Sequence, residues 1–535
     1  MIKNIRLRVL PQVWADAQKL EQEIARQNAI SPKSIKGIRT LHRSIDARQR
    51  QVMIQLDIDV YINEMPPQQL FEPKQYREVK GDRQAIVVGL GPGGLFAALK
   101  LIELGIKPIV IERGRNVTDR RRDVALITRT QQVDPESNFC FGEGGAGAFS
   151  DGKLFTRSKK RGNVQGVLER LCQFGADTGI LNAAHPHIGT DRLPGVIAAI
   201  RDEILRCGGE IHYETVVNEL IVRGSSVITS DATEVIGVRT NRGQEFLGPV
   251  ILATGHSARD VYHMLDRQRI PIETKGIAIG VRLEHPQQLI DQIQYHSRDG
   301  RGKYLPAAEY SFVTQADGRG VYSFCMCPGG VVVPSATGPE QVVVNGMSAS
   351  SRGSRWANSA MVVEIRPDDI PVLLHDLGIK GMDASPLAVM AIQEEIERQA
   401  WLNGGRTQVA PAQRMTDFVH SRLSDSLSPS SYTPGLVSSP LHFWMPRFIS
   451  SRLRAGLETF GRNAHGFMTD QATLIAAETR TSSPVRIPRD REQFVHPAVT
   501  GLYPCGEGAG FAGGIVSAAM DGERCAEALA GCYRQ

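Results

Sequence analysis

Between Ala85 and Glu112 the chain spells out a strand, a glycine turn, a helix and a second strand, and this stretch restricts the fold more than any other. Ala85-Ile86-Val87-Val88 is a run of β-formers that leads directly into Gly89-Leu90-Gly91-Pro92-Gly93-Gly94. Gly89 suits a tight turn, Gly91 lets the backbone approach a pyrophosphate, and Gly94 lets the helix sit close on the strand. Leu95, Ala98, Leu99 and Ile102 then recur at helical spacing, with Gly105 as the stop. The second strand ends on Glu112, placed to accept hydrogen bonds from a ribose diol. Three glycines alone also fit an ordinary glycine-rich turn. The strand before, the amphipathic helix after and the acid at the next strand end favour a dinucleotide whose pyrophosphate rests on the helix N-terminus.

At 535 residues there is room for several domains and a large core. Charge is unevenly spread: residues 1–80 carry 14 Lys and Arg against 9 Asp and Glu, so the whole surplus of +5 lies there. The start, Met1-Ile2-Lys3-Asn4-Ile5-Arg6, puts charge where a secretory signal needs an apolar core, so export is not expected. Two long uncharged windows, Val321 to Pro339 and Ser426 to Pro446, are broken by Pro, Gly and Ser and are not expected to span a membrane. Eight scattered cysteines without CxxC pairs fit a reducing cytoplasm.

Residues 1–65 read as a separate small unit. Ile2 to Val9 is strand-like, Trp14, Ala17, Leu20 and Ile24 make a helical stripe, and Ile35–Ile45 with Val52–Ile62 alternate like a hairpin. That order predicts a small α+β, ferredoxin-like domain, with residues 66–80 as its linker. Residues 81–269 are expected to hold the first part of the dinucleotide-binding domain, 270–460 an inserted α+β substrate domain rich in short strands, Pro and Gly, and 461–535 the second part. A polar, arginine-rich passage, Arg113 to Arg129, precedes the run Phe141 to Lys153, whose many glycines suit a backbone wrapped closely around a ligand. A free surface loop is the alternative, but its phenylalanines would be poorly placed there. Gly147, Ala148, Asp151 and Lys153 are its candidate cofactor contacts. Val250 to Gly255 is a strand ending in Ala-Thr-Gly, and Thr500 to Glu507 is another ending in an acid, followed by glycines and a helix from Ile515. One domain is therefore expected to be built from both ends of the chain.

A nicotinamide dehydrogenase can complete its cofactor site within one contiguous region, whereas a flavin needs contacts at adenosine, ribityl chain and ring. A late Gly-Glu and a second helix start supply the ring end, where amide N–H groups stabilise negative charge on a reduced ring by about 0.3–1 kcal/mol. The motifs GLGPGGLFAALKL, FGEGGAGAFSDGKL, PHIGTDRL, ILATGHSARD, FCMCPGG, ETRTSSPVRI and YPCGEGAGFAGGIVSAAMDG, with SIDAR at 44–48, resemble those of the bacterial FAD-dependent dehydrogenases, the NAD(FAD)-utilizing dehydrogenases among the glutathione-reductase-like flavoproteins. The resemblance covers nearly the whole chain. It implies a Rossmann FAD-binding α/β domain in which Gly89, Gly91, Pro92, Gly93 and Gly94 hold the pyrophosphate and Glu112 with Arg113 the adenosine side. It also implies that Ala253, Thr254, Gly255, Gly506 and Glu507 line the middle of FAD, and that Gly513, Gly514 and Ile515 meet the ring. Cys505 stands where a small residue such as Ala is expected.

Candidates for chemistry are fewer. His256 is an acid or base, a hydrogen-bond donor to flavin, or a turn cap, and Arg480 either a substrate contact or part of a hydrogen-bonded loop. Cys325 and Cys327, one residue apart, make a strained disulfide and read better as packed strand residues than as a redox pair. His185 and His187 lack a third ligand, so no metal is assigned. The leading expectation is an FAD oxidoreductase passing hydride between an organic substrate and flavin. Only one fingerprint is present, so NAD(P)H is expected at most as a transient donor. Two alternatives stand beside it: a flavin-dependent enzyme acting on RNA through the basic N-terminal unit, and a non-catalytic redox sensor docking a protein partner there.

Overall fold

The computed structural model describes residues 1–157, 160, 162–223 and 233–533. The strand Gln84–Val88 is buried over its last four residues and runs parallel to Lys107–Ile111, in register from Gln84 opposite Lys107 to Val88 opposite Ile111. A strand covered on both faces needs no polar alternation, hence its continuous apolar sequence. The helix Pro92–Glu103 connects the two strands, opening on a proline and ending just before Gly105, whose φ is 69°. Glu210–His212 extends the sheet on one side, while Val250–Leu252 and then Leu502–Pro504 complete five parallel strands on the other. The two ends of the chain thus share one sheet. The last helix, Ile515–Cys532, packs on Pro92–Glu103 so closely that a Cβ on Gly522 would stand 2.0 Å from the Gly93 carbonyl oxygen.

A second sheet has seven strands in the order Val313–Ala316, Arg319–Cys327, Trp356–Ile365, Ile277–Pro286, Thr473–Glu478, Ala410–Arg414, Leu436–Ser438. Its neighbours are antiparallel except the last pair. The helices Ala388–Asn403 and Arg447–Asn463 bury Ile392, Ile396, Leu453 and Leu457 in the core of this unit. Composition placed the end of the insert at 460. The structure corrects this, because Thr473–Glu478 is fully buried inside the sheet, and a central strand belongs to the layer that covers it.

At the N-terminus, Ile2–Val9 pairs with Met53–Ile62, which pairs with Ile35–Asp46, all antiparallel. Asp16 caps the helix Ala17–Asn28, accepting from the amides of Gln18 and Lys19, and the helix buries Leu20 and Ile24 against this sheet. The ferredoxin-like expectation is met only in its first four elements: among the described residues no second helix and fourth strand follow, and residues 63–83 carry no helix or strand. Within this unit Arg8 and Arg48 pair with Asp46, Arg6 with Asp57, and Arg26 with Glu23. Arg43 ties the unit to the body through backbone hydrogen bonds with Asn182 and Ala184. No helix among the described residues is long and apolar enough to cross a membrane.

Candidate cofactor and substrate site

The parallel strands end at one cavity of about 380 Å³. Gly89, Gly91, Pro92 and Gly93 form its floor, Ala253, Thr254 and Gly255 its middle, and Gly506, Glu507, Gly513, Gly514 and Ile515 the far end. Residues separated by more than four hundred positions therefore face the same space. Two helices begin on it, capped by Gly91 and Gly514 with no side-chain hydrogen bond, so their first amides are left for a ligand. Two expected contacts lie elsewhere. Gly94 is behind the turn, where a Cβ would stand 1.9 Å from the Gly89 oxygen, and Ala148 is fully buried in the hydrophobic core beneath. Both are fixed by packing, which a residue-by-residue transfer of a motif cannot separate from ligand contact.

The glycine-rich run forms the opposite lip, with Gly145, Gly147, Asp151 and Lys153 on the cavity wall. A Cβ on Gly145, at φ 58°, would stand 3.2 Å from the Gly91 Cα, so the loop lies directly on the fingerprint turn. Its conformation is held by Arg120, which is completely buried. That guanidinium donates to the carbonyls of Asn138 and Glu143 at 2.8 Å, Phe139 at 2.9 Å and Gly142 at 3.3 Å. The polar passage that supplies Arg120 folds as the helix Val117–Thr130, capped by Asn116. Arginine count alone gave no sign of this, since nothing local distinguishes Arg120 from Arg121 or Arg122.

Glu112 is buried and accepts from the amides of Leu90 at 2.8 Å, Gly114 at 2.9 Å and Gly142 at 3.1 Å. A carboxylate has about four acceptor positions, so one remains for a ribose hydroxyl at the cavity wall. Arg113 also lines the cavity, paired with Asp260 and stacked 4.4 Å over the Phe141 ring.

The remaining wall comes from the seven-stranded sheet. His256 bonds the Arg480 carbonyl at 3.0 Å and faces Glu507 at 3.5 Å. The Arg480 guanidinium is committed to Glu397, Thr337 and Gln341. Arg259 grips the same Glu397 at 2.7 and 2.8 Å. Burial alone would raise the Glu397 pKa, but the two guanidiniums outweigh it and hold the carboxyl far below the usual range. The clamp joins the insert to the helix Arg259–Arg267 of the nucleotide fold. Glu478, unnoticed in the sequence, also lines the cavity; burial pushes it up to about 7, against the pull of Arg282 at 3.4 Å. A carboxyl that titrates there is suited to proton transfer. Cys325 completes this wall.

Cys505 lines the cavity where its sulfur lies 3.4 Å from a Cβ built on Gly93. Cys505, Asp521 and Cys525 converge within 4.8 Å, the spacing of a metal site, but Arg489 already fills it, bonding both Asp521 oxygens and the Cys525 sulfur. His185 bonds Glu309 and His187 the Ser350 carbonyl, at a second cavity of about 720 Å³ that adjoins the groove where Phe155 packs on His185 and Asp151 pairs with Arg352.

Residues 276–481 match a family model described as FAD-dependent protein, C-terminal domain-like, and residues 1–61 a domain of unknown function (DUF8436). An uncharacterized protein of Clostridium beijerinckii is 39% identical over 531 residues, 96% of each chain. The chain belongs to that protein's family. The matched segment ends at Thr481, past Glu478, in agreement with the strand order rather than with a boundary at 460. FAD is the cofactor of this flavoprotein, and the groove fits it: nothing lies within 4 Å of a Cβ built on Gly255 or Gly513, so those glycines keep open the space a ligand needs. Among solved structures, CtdE in complex with FAD and substrate 4 is 13% identical, covering 85% of both chains at a TM-score of 0.33. The open conformation of a flavocytochrome c3 fumarate reductase is 10% identical, covering 84% of this chain and 78% of its own at 0.30. Similarity at that level says nothing about the reaction.

Proposed function

We propose that this flavoprotein is an FAD-dependent oxidoreductase whose organic substrate enters from the side of the seven-stranded sheet. The observation that carries the reading is the convergence of two uncapped helix N-termini, one from each end of the chain, on a groove closed by titratable side chains of the insert. Bound FAD supplies two-electron transfer. The first-turn amides of Pro92–Glu103 would hold its pyrophosphate, and Glu112 the adenosine ribose. The amides at the start of Ile515–Cys532 would place a positive dipole end where ring charge develops. Glu478, with a pKa near neutrality, would take or give the proton that accompanies substrate oxidation or reduction. The Glu397 clamp keeps the insert seated on the nucleotide fold, where it forms one wall of the groove.

NADH or NADPH fits as a transient donor in this scheme, because one nucleotide fingerprint leaves no second resident dinucleotide site. Purified protein should be yellow, and anaerobic stopped-flow mixing with NADH and NADPH should bleach the flavin band with one of them. Protein that is colourless and takes up no added FAD would remove the proposal; a flavin band untouched by either nucleotide would remove the donor.

A further inference from the structure

One cluster on the groove wall brings two thiols against cations from distant parts of the chain. The strand Arg319–Cys327 pairs with Trp356–Ile365 as far as Phe324 opposite Ala360, and the register shifts before Cys327 pairs with Asn358. Within this bulge Cys325 takes φ 48°, a left-handed conformation that side chains other than glycine seldom adopt. Bulges of this kind re-aim a side chain beside a site, and Cys325 lines the cavity. Lys153, from the glycine-rich loop, brings its Nζ to 4.0 Å from the Cys325 sulfur and 3.8 Å from that of Cys327. The buried Arg282 donates to the Cys325 carbonyl at 2.7 Å and contacts the Cys327 sulfur at 3.4 Å, steadied by Asn358 at 2.8 Å. A loop, a central strand and a bulged strand have thus been brought together around two thiols. The acids facing them are Asp151, 3.9 Å from Lys153 and paired with Arg352, and Glu478 beside Arg282.

We propose that Cys325 is a catalytic thiolate that adds to an electrophilic carbon of a substrate in the groove, a carbonyl or α,β-unsaturated carbonyl compound. The inference rests on the oxidoreductase reading for the presence of a substrate there. In the step, the sulfur lone pair forms an S–C bond, the π bond of the acceptor breaks towards its oxygen, and that oxygen takes a proton from the Lys153 ammonium. No electrons are gained or lost, and the reverse step releases the substrate and reprotonates the amine. A thiolate with an adjacent cationic donor is the pairing that nucleophilic catalysis at carbonyl carbon requires. The charge balance agrees: interaction with the Cys327 thiol, then Lys153 and Arg282 acting against burial, hold the Cys325 thiol well below its ordinary value, while Cys327 is pushed up. Cys505, the buried thiol elsewhere on the same cavity, is raised instead, by Cys525 and by burial.

The test is pulsed alkylation of the full-length holoprotein with iodoacetamide from pH 6.5 to 8.5, read at each cysteine by peptide mass spectrometry, with flavin absorbance taken on the same samples. The Cys325 rate should change less than about threefold over that range, against the steep rise of a free cysteine-containing peptide alkylated in parallel. Lys153→Met should make the Cys325 profile steep and Lys153→Arg should flatten it again; if Lys153→Met does not fold, the wild-type profile decides. Cyclohex-2-enone should form an adduct at Cys325 at pH 6.5 and not at Cys532, and Cys325→Ser should lose that adduct while retaining FAD. A Cys325 profile as steep as that of the free peptide, or no enone adduct at Cys325 in flavin-loaded protein, overturns the thiolate. Protein without flavin overturns the oxidoreductase reading instead, whatever the thiol profile.

Discussion

Replacing Arg120 by methionine tests how the lip of the groove is held. The wild-type guanidinium supplies three well-formed hydrogen bonds of 2.8–2.9 Å to loop carbonyls and a longer fourth. Bonds to a charged donor are worth about 1.5–3 kcal/mol each. Methionine fills similar volume and needs no partner, so the desolvation that lowers the Arg120 pKa to about 10 is relieved and offsets part of that sum. A net loss of about 3 kcal/mol is expected, comparable to breaking one buried ion pair. For a unit of this size that corresponds to a melting temperature lower by about 6–12 °C. The damage should centre on residues 138–147, because that is where the orphaned carbonyls lie, so FAD affinity should fall at least about tenfold. Differential scanning fluorimetry with and without added FAD, together with flavin titration, reads both effects. Arg120→Lys, with one cation but no planar fork, should fall between the two. If Arg120→Met melted within about 1 °C of wild type and kept its flavin, the loop would have to be held by something else, and the account given for this lip would be wrong.

Glu397→Gln leaves Arg480 without its carboxylate and Arg259 with only Glu394 at 3.8 Å, and should cost about 3–5 kcal/mol in urea unfolding. Because the folded pKa of Glu397 is depressed, its contribution is full above the ordinary glutamate value of 4.5 and is lost as pH falls further; the mutant should lack that part of the acid transition. Glu478 has the opposite sign. With a folded pKa near 7 against 4.5 unfolded, its contribution is full below pH 4.5 and is lost as pH rises through 7, by at most about 3 kcal/mol, and Glu478→Gln should flatten the urea midpoint between pH 5 and 8. Gly513→Val adds a side chain where no protein atom lies within 4 Å, so the fold should survive while FAD titration shows weaker binding. Gly94→Ala, with its Cβ 1.9 Å from the Gly89 oxygen, should disrupt the turn itself and yield little folded protein on size-exclusion chromatography.

The nucleotide fold was legible because its rules are local. A buried parallel strand is apolar throughout, a pyrophosphate turn needs glycine where Gly89 and Gly91 stand, and an apolar stripe at helical spacing follows, so the Gln84–Ile111 unit could be located from the sequence. The small N-terminal unit yielded its strand and hairpin for the same reason, through alternation on a half-covered sheet. What local pattern could not contain is which distant side chains meet. Arg120 is one of three successive arginines until the loop at 138–143 folds around it. Arg480 read equally as a substrate contact or as part of a hydrogen-bonded loop, and Glu397, Thr337 and Gln341 take up its donors. Lys153, Arg282 and Cys325 lie far apart in sequence, and Cys325 reaches the groove only because a bulge breaks the alternation that would otherwise assign its face. The sequence by itself determined the strands, the turn and the helix, because dihedral preference and burial act over a few residues. Only the tertiary structure decided which charges are paired and which thiol faces the ligand, because electrostatics acts through space across chain segments that no spacing rule connects.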